Sequence, residues 1–398
     1  MDAVILETVG LLSVGVIVAI FARRIHLPYT VGLIVTGIAI ALLRYRSDLV
    51  LTRDFIFDVI LPPLLFEAAL ALHWSELRRD LLPVLVLAVL GVLVSAAIVA
   101  GGMVGLLGWP LPAAVVFGTL VAATDPVAVI ALFKDVGLTG RLRLLVEAES
   151  LLNDGVAAVL FALVMAWVQA TGAAATPAGM AGQAMFTAGG GLLVGLTVGG
   201  AAILLAGRTA DHLVETALTA VAAYGSFLAA EHLGMSGVLA TVAAGLLMGN
   251  LSILREDERN ALTGRDFVVA FWEFAAFVAN SLIFLMIGLA AGSVPFGRVS
   301  PPTLAAIIVL VLFARAATVY PLCVPFARTR WAVPMRAQHV LWWGGLRGAL
   351  CLALALSLPP GMDHRGDIVI AAFDVVAFSV IVTGLTMPLT LRWLGFVK

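Results

Sequence analysis

Apolar residues run through this chain in long blocks, and polar positions gather between the blocks rather than alternating within them. Thirteen blocks approach or exceed the ~20 residues that a helix needs to cross a bilayer. They lie near 3–22, 27–43, 50–72, 81–107, 111–133, 142–170, 184–207, 213–233, 236–252, 266–291, 301–326, 336–357 and 366–394. Two are interrupted. The fifth carries Thr124-Asp125-Pro126 at its centre, and the twelfth carries Gly344-Gly345-Leu346-Arg347-Gly348. With the seventh block as a linker, the two interruptions occupy equivalent places in two six-helix halves. Inverted repeats carry broken helices at matching positions in this way. The halves are not visibly alike in sequence, so the symmetry is expected from the breaks alone. The pattern predicts an all-α integral membrane protein of about 13 transmembrane helices with two discontinuous ones.

Composition supports lipid as the solvent. Hydrophobic residues make up 62% of the chain and charged residues 12%, against about 25% charged in soluble domains. The net charge of −1 and the lack of a basic tract give no reason to expect nucleic acid as a partner. Cys323 and Cys351 both fall in apolar runs and read as free buried thiols. The basic residues orient the chain. With the N-terminus outside, 16 of the 23 Lys and Arg fall in cytoplasmic segments, 5 fall outside, and Arg315 and Arg347 lie within spans. This bias predicts a multi-pass protein of the cell membrane with its C-terminus in the cytoplasm.

Ionisable groups deep in a bilayer cost about 2.5–3.5 kcal/mol each on insertion scales, so they are candidates for function. Those expected at depth are Glu67, Asp125, Glu149, Asp154, Arg315 and Arg347. Pro126 cannot continue a helical hydrogen bond to the preceding turn. It suits the first position of a new half-helix, with Asp125 or Thr124 as the N-cap. The positive end of that half-helix favours a carboxylate, and freed carbonyls such as that of Thr124 can face a cation. A plain proline kink is the alternative. The sixth block reads Glu149-Ser150-Leu151-Leu152-Asn153-Asp154. Ser150 and Asp154 share one helix face, and Glu149 and Asn153 share the next. Carboxylates and neutral oxygens on one sector suit a hard monovalent cation, and a carboxylate also takes a proton. The alternative is a structural polar patch between helices.

Together, these motifs resemble the signatures of the cation/proton antiporter 1 family, which includes NhaP-type sodium/proton antiporters and animal sodium/hydrogen exchangers. Leu61-Pro62-Pro63-Leu64-Leu65-Phe66-Glu67-Ala68, Asn280 to Leu289, and Ala314-Arg315 followed by Val319-Tyr320 extend the resemblance over nearly the whole chain. The resemblance implies that the two broken helices cross, as in the NhaA-like antiporter fold. It implies one membrane domain, 1–398. Its core bundle would include about 81–170 and 301–394, and its scaffold about 1–72 and 184–291. Homodimerisation would run through the scaffold.

The resemblance also implies roles. Asp154 would alternate between cation and proton, with Asp125, Thr124 and Ser150 completing a Na+ site. Asn153 would orient it. Glu67 matches a glutamate that joins the site in some archaeal members. Glu149 would pair with Arg315, and Arg347 would sit at the crossing, facing the C-terminal ends of the broken helices. No cofactor is implied beyond the transported Na+ and H+. Antiporters of this kind that move net charge carry a second aspartate where Asn153 stands. The expectation is therefore electroneutral one-for-one exchange by alternating access, with Na+ or Li+ as the cation. The chain as given stops shortly after the thirteenth block, where animal members carry a long regulatory tail.

Three rivals are set aside or kept open. K+/H+ exchange keeps the mechanism and changes the ion. A cation-coupled symporter would need more polar or aromatic residues near the crossing than the Gly, Ala, Leu and Val found there. A membrane hydrolase would need a serine–histidine dyad, paired aspartates or His-Glu-x-x-His at depth, and none is present. The reading is of a transporter and not an enzyme. Gly191, Gly195 and Gly199 form a close-packing stripe that fits an intramolecular or a dimer contact equally well. The six histidines are read as solvated groups in or near loops.

Overall fold

A computed structural model describes residues 2–24, 28–43, 51–169, 176–209, 211–251, 263–293 and 300–397, and among these it is helical with no strand. The α-helices in chain order are α1 Asp2–Arg24, α2 Tyr29–Leu42, α3 Leu61–Ala71, α4 Trp74–Leu85, α5 Gly91–Leu107, α6 Leu111–Leu120, α7 Val127–Asp135 and α8 Arg141–Gln169. They continue as α9 Pro177–Ala206, α10 His212–His232, α11 Gly237–Leu251, α12 Thr263–Ser293 and α13 Pro301–Cys323. The last four are α14 Met335–Trp343, α15 Ala349–Leu356, α16 Arg365–Phe378 and α17 Gly384–Trp393. Wider π-helical turns lead into α3 at Phe55–Ile60, join α4 to α5 at Val86–Leu90, and join α16 to α17 at Ser379–Thr383.

Joined through these turns and across the two breaks, the described helices match the thirteen blocks in order. Seven helical stretches are long and apolar enough to cross a membrane alone, by length and composition. Tyr29–Leu42, Leu111–Leu120 and Gly237–Leu251 are apolar but shorter. The fourth block starts earlier than expected: α4 begins at Trp74, not near 81. Glu76, Arg78, Arg79 and Asp80 occupy its first turns. Those charges hide a helix from a reading based on apolar length.

The chain forms two compact units. The first comprises Met1–Ile56, Leu82–Asn153 and Asn280–Lys398, and the second comprises Phe57–Leu81 and Asp154–Ala279. In the first, α5 packs on α6 and α13, α15 packs on α6 and α16, and α7 meets α2 and α17. It contains both breaks.

In the second unit, α11 is buried among α3, α9 and α10. Gly191, Gly195 and Gly199 of α9 abut Ser236, Ala240 and Ala244. At Gly195 an added β-carbon would fall on the backbone of Ala240. The glycine stripe is therefore an intramolecular contact between helix backbones. Phe66 and Trp272 pack with ring centroids 4.6 Å apart, and Trp272 Nε1 donates to Thr219 Oγ1 at 2.8 Å. Asn250 closes the α3–α4 corner. Its Nδ2 donates to the Leu72 carbonyl at 2.9 Å and its Oδ1 accepts from the Trp74 amide at 2.7 Å.

Candidate ion site

Both breaks have local causes. α6 ends at Leu120, and the chain runs without helical bonding through Ala123–Pro126 before α7 starts at Val127. Pro126 is the residue before the helix and not its first member, one position off the expectation. Asp125 caps α7 through its side chain, Oδ1 accepting from the Val127 amide at 2.9 Å. In the twelfth span, α14 ends at Trp343 and α15 starts at Ala349. Gly348, the residue before α15, lies directly against the Asp125 carboxylate. One carboxylate therefore meets the positive N-terminal ends of two half-helices. The two interrupted stretches join through backbone as well, the Asp125 amide donating to the Leu346 carbonyl at 2.7 Å.

Gly348 makes that approach possible. A β-carbon there would coincide with the Asp125 carboxylate. Only a residue without a side chain lets the second broken helix come this close.

α8 supplies the neighbouring wall. Ser150 Oγ donates to the Thr124 carbonyl, and Thr124 Oγ1 lies 3.4 Å from Ser150 Oγ. Asn153 Nδ2 lies 3.2 Å from Thr124 Oγ1 and 3.4 Å from Glu149 Oε1. Its Oδ1 is buried and has no hydrogen-bond partner among the described residues. Thr124, Glu149, Ser150 and Asn153 are all buried.

Glu149 and Arg315 form a two-pronged ion pair. Arg315 Nη1 donates to Oε1 at 2.8 Å and Nη2 donates to Oε2 at 3.0 Å. Arg315 also donates from Nη2 to the Leu341 carbonyl at 3.2 Å. Leu341 lies in the last turn of α14, where carbonyls lack helical partners and carry the negative end of the helix dipole. Arg315 thus meets the C-terminal end of α14. Arg347, expected to face such an end, donates from Nη1 to the Gly345 carbonyl at 2.7 Å. Its backbone amide donates to Ser379 Oγ at 3.0 Å.

A narrow cleft opens at this place, lined by Thr124, Pro126, Glu149, Ser150, Arg315 and Gly344 among others. It has room for about one water-sized particle. Asp154 follows on α8, one turn beyond Ser150, and is partly buried. Glu67 is partly buried on α3. By packing, Thr124, Asp125, Glu149, Ser150, Asn153, Arg315 and Arg347 belong to the first unit, and Asp154 and Glu67 to the second.

Some participants left no mark in the sequence. The Leu346 and Leu341 carbonyls are backbone groups with no residue signature. Ser379 is a single hydroxyl in an apolar run. His339 is also unlike the expected solvated histidine: it lies inside α14, and its Nδ1 is 2.7 Å from Tyr320 Oη. A tyrosine and a histidine on separate helices show no spacing by which to pair them.

The family model described as "Sodium/hydrogen exchanger, transmembrane" matches residues 10–393. The Na+/H+ antiporter ApNhaP of Aphanothece halophytica is 39% identical over 352 residues, covering 87% of this chain and 66% of that protein. The Na+/H+ antiporter NhaH of Halobacillus aidingensis is 34% identical over 349 residues, covering 85% of this chain and 83% of that protein. The chain thus spans just under two thirds of the length of the first of these. The structure of the sodium proton antiporter MjNhaP1 from Methanocaldococcus jannaschii superposes with a TM-score of 0.76 at 20% identity, covering 98% of this chain and 99% of that one. That likeness establishes the fold.

Proposed function

We infer the reaction from one premise: the chain belongs to the sodium/hydrogen exchanger family of transmembrane proteins. It exchanges a monovalent cation for a proton across the cell membrane. Na+ is the principal cation, with Li+ accepted in its place. The observation that carries this reading is the Asp125 carboxylate capping α7 and lying against the start of α15, beside the Thr124 and Ser150 oxygens. Carbonyl, hydroxyl and carboxylate oxygens are the ligands that a hard monovalent cation takes, and broken helices supply them where a transporter binds its ion. The names of the two curated relatives, both Na+/H+ antiporters, support the same exchange.

Asp154 is the carrier. It holds a cation or a proton but not both, so each direction of transport moves one positive charge. Asp125, Thr124 and Ser150 complete the cation's shell, and Asn153 holds Thr124 in place. The Glu149–Arg315 pair ties α8 to α13 and to the end of α14. Exchange is electroneutral and works by alternating access, a core bundle moving against a scaffold through which two copies associate. The N-terminus lies outside and the C-terminus in the cytoplasm.

Purified protein in proteoliposomes with an internal pH dye tests the reaction. An imposed pH gradient should collapse on addition of Na+ or Li+. Collapse by K+ alone would replace the Na+ assignment with K+/H+ exchange, and no response to any of the three would refute antiport.

A further inference from the structure

The peptide of Arg347 lies in the unwound stretch between α14 and α15, where helical bonding is suspended. Its neighbour Leu346 accepts the Asp125 amide. The Arg347 amide and carbonyl are both met by one side chain, Ser379. The amide donates to Ser379 Oγ at 3.0 Å. The single hydroxyl proton of Ser379 is directed either to the Arg347 carbonyl at 3.3 Å or to the Val376 carbonyl at 3.0 Å, one turn back on its own helix. Ser379 and Arg347 are both buried, where no bulk water would replace a lost partner and an orphaned amide is strongly unfavourable.

Ser379 opens the π-helical turn Ser379–Thr383. Such turns recur at functional sites. Here the Ser379 carbonyl accepts from the Gly384 amide and from Thr383 Oγ1. The turn is thus held from within by Thr383, while Ser379 reaches outward to the unwound stretch. From Ser379 to the Asp125 amide the path is two hydrogen bonds through the Leu346–Arg347 backbone.

We propose that Ser379 is a positioning residue for the ion site, holding the Leu346–Arg347 peptide so that Asp125 stays at the N-terminal ends of α7 and α15. This rests on the antiport reading. It assigns a role to a residue that would touch no transported ion.

The test compares wild type, Ser379→Ala, Ser379→Thr and Thr383→Val. It uses amide hydrogen exchange over residues 344–349 and Na+-driven proton flux in proteoliposomes. Ser379→Ala should speed exchange at Arg347 and its neighbours by about tenfold. It should raise the apparent KM for Na+ about threefold or more while maximal flux stays within about twofold. Ser379→Thr keeps the hydroxyl and should restore both. Thr383→Val removes a bond inside the turn that does not touch Arg347. It should lower Tm while leaving local exchange and KM as in wild type. Unchanged exchange in Ser379→Ala would overturn the proposal, as would an unchanged KM with maximal flux and Tm falling together in both Ser379→Ala and Thr383→Val. Wild type that moves no protons with Na+ would refute the antiport reading instead, and amide exchange would still decide whether Ser379 holds the stretch.

Discussion

The carboxylate of Asp125 occupies the space in which a β-carbon on Gly348 would stand. The close pass of the two broken helices therefore depends on one missing side chain and one charged group. Gly348→Ala should be far more damaging than its size suggests. Overpacking of this kind costs about 1–3 kcal/mol, and here the displaced group is the carboxylate itself. The expected result is a lower Tm in detergent and loss of Na+-driven proton flux. Gly361→Ala is the comparison, because nothing lies within 4 Å of a β-carbon there. It should behave as wild type.

Asp125 serves two helix ends, so Asp125→Asn cannot replace it. The amide oxygen can still accept from Val127, but the charge that opposes both dipoles is gone. Each such dipole interaction contributes about 0.3–1 kcal/mol at the surface and up to about 2 kcal/mol when partly buried. A modest fall in Tm is expected together with near-complete loss of flux. Flux retained alongside a lowered Tm would mean that Asp125 only caps helices.

Glu149 and Arg315 should behave as one unit. Removing either leaves a buried charge without its partner, a loss of about 3–5 kcal/mol. Glu149→Ala and Arg315→Ala should each lower Tm sharply, and the double variant should lose less than the sum. Arg315→Lys should not rescue, because an ammonium cannot span both Glu149 oxygens and the Leu341 carbonyl as the guanidinium does. Strict additivity in the double-mutant cycle would argue against coupling through this pair.

Exchange should move no net charge. Asn153 cannot titrate, and it is already committed to Thr124 and Glu149. With potential set by K+ and valinomycin, and with pH and Na+ equal on both sides, no net Na+ flux is expected. A flux driven by potential alone would overturn one-for-one stoichiometry and leave antiport standing.

Much of this arrangement was legible in the residues, for identifiable reasons. Proline and clustered glycine are conspicuous inside apolar runs, so Thr124-Asp125-Pro126 and Gly344 to Gly348 marked both breaks. Helical spacing placed Ser150 and Asp154 on one face. Pairing of Glu149 with Arg315 came from family resemblance, because 166 residues separate them and no local rule connects them. The shift of the α7 start from Pro126 to Val127 follows from Asp125 reaching two residues ahead to cap. The π turns and the Ser379 contact depend on how helices seat against one another, which composition and periodicity do not encode. His339 departs from the solvated reading because its partner Tyr320 belongs to another helix.

In the proposed mechanism one carboxylate, Asp154, carries the cation or the proton by turns. Asp154→Asn keeps the shape of the side chain and removes the charge. The decisive measurement is Na+-driven collapse of a pH gradient in proteoliposomes holding equal amounts of wild-type or Asp154→Asn protein. Wild type should collapse the gradient, and the variant should match protein-free vesicles. Collapse by the variant at the wild-type rate would rule out Asp154 as the carrier.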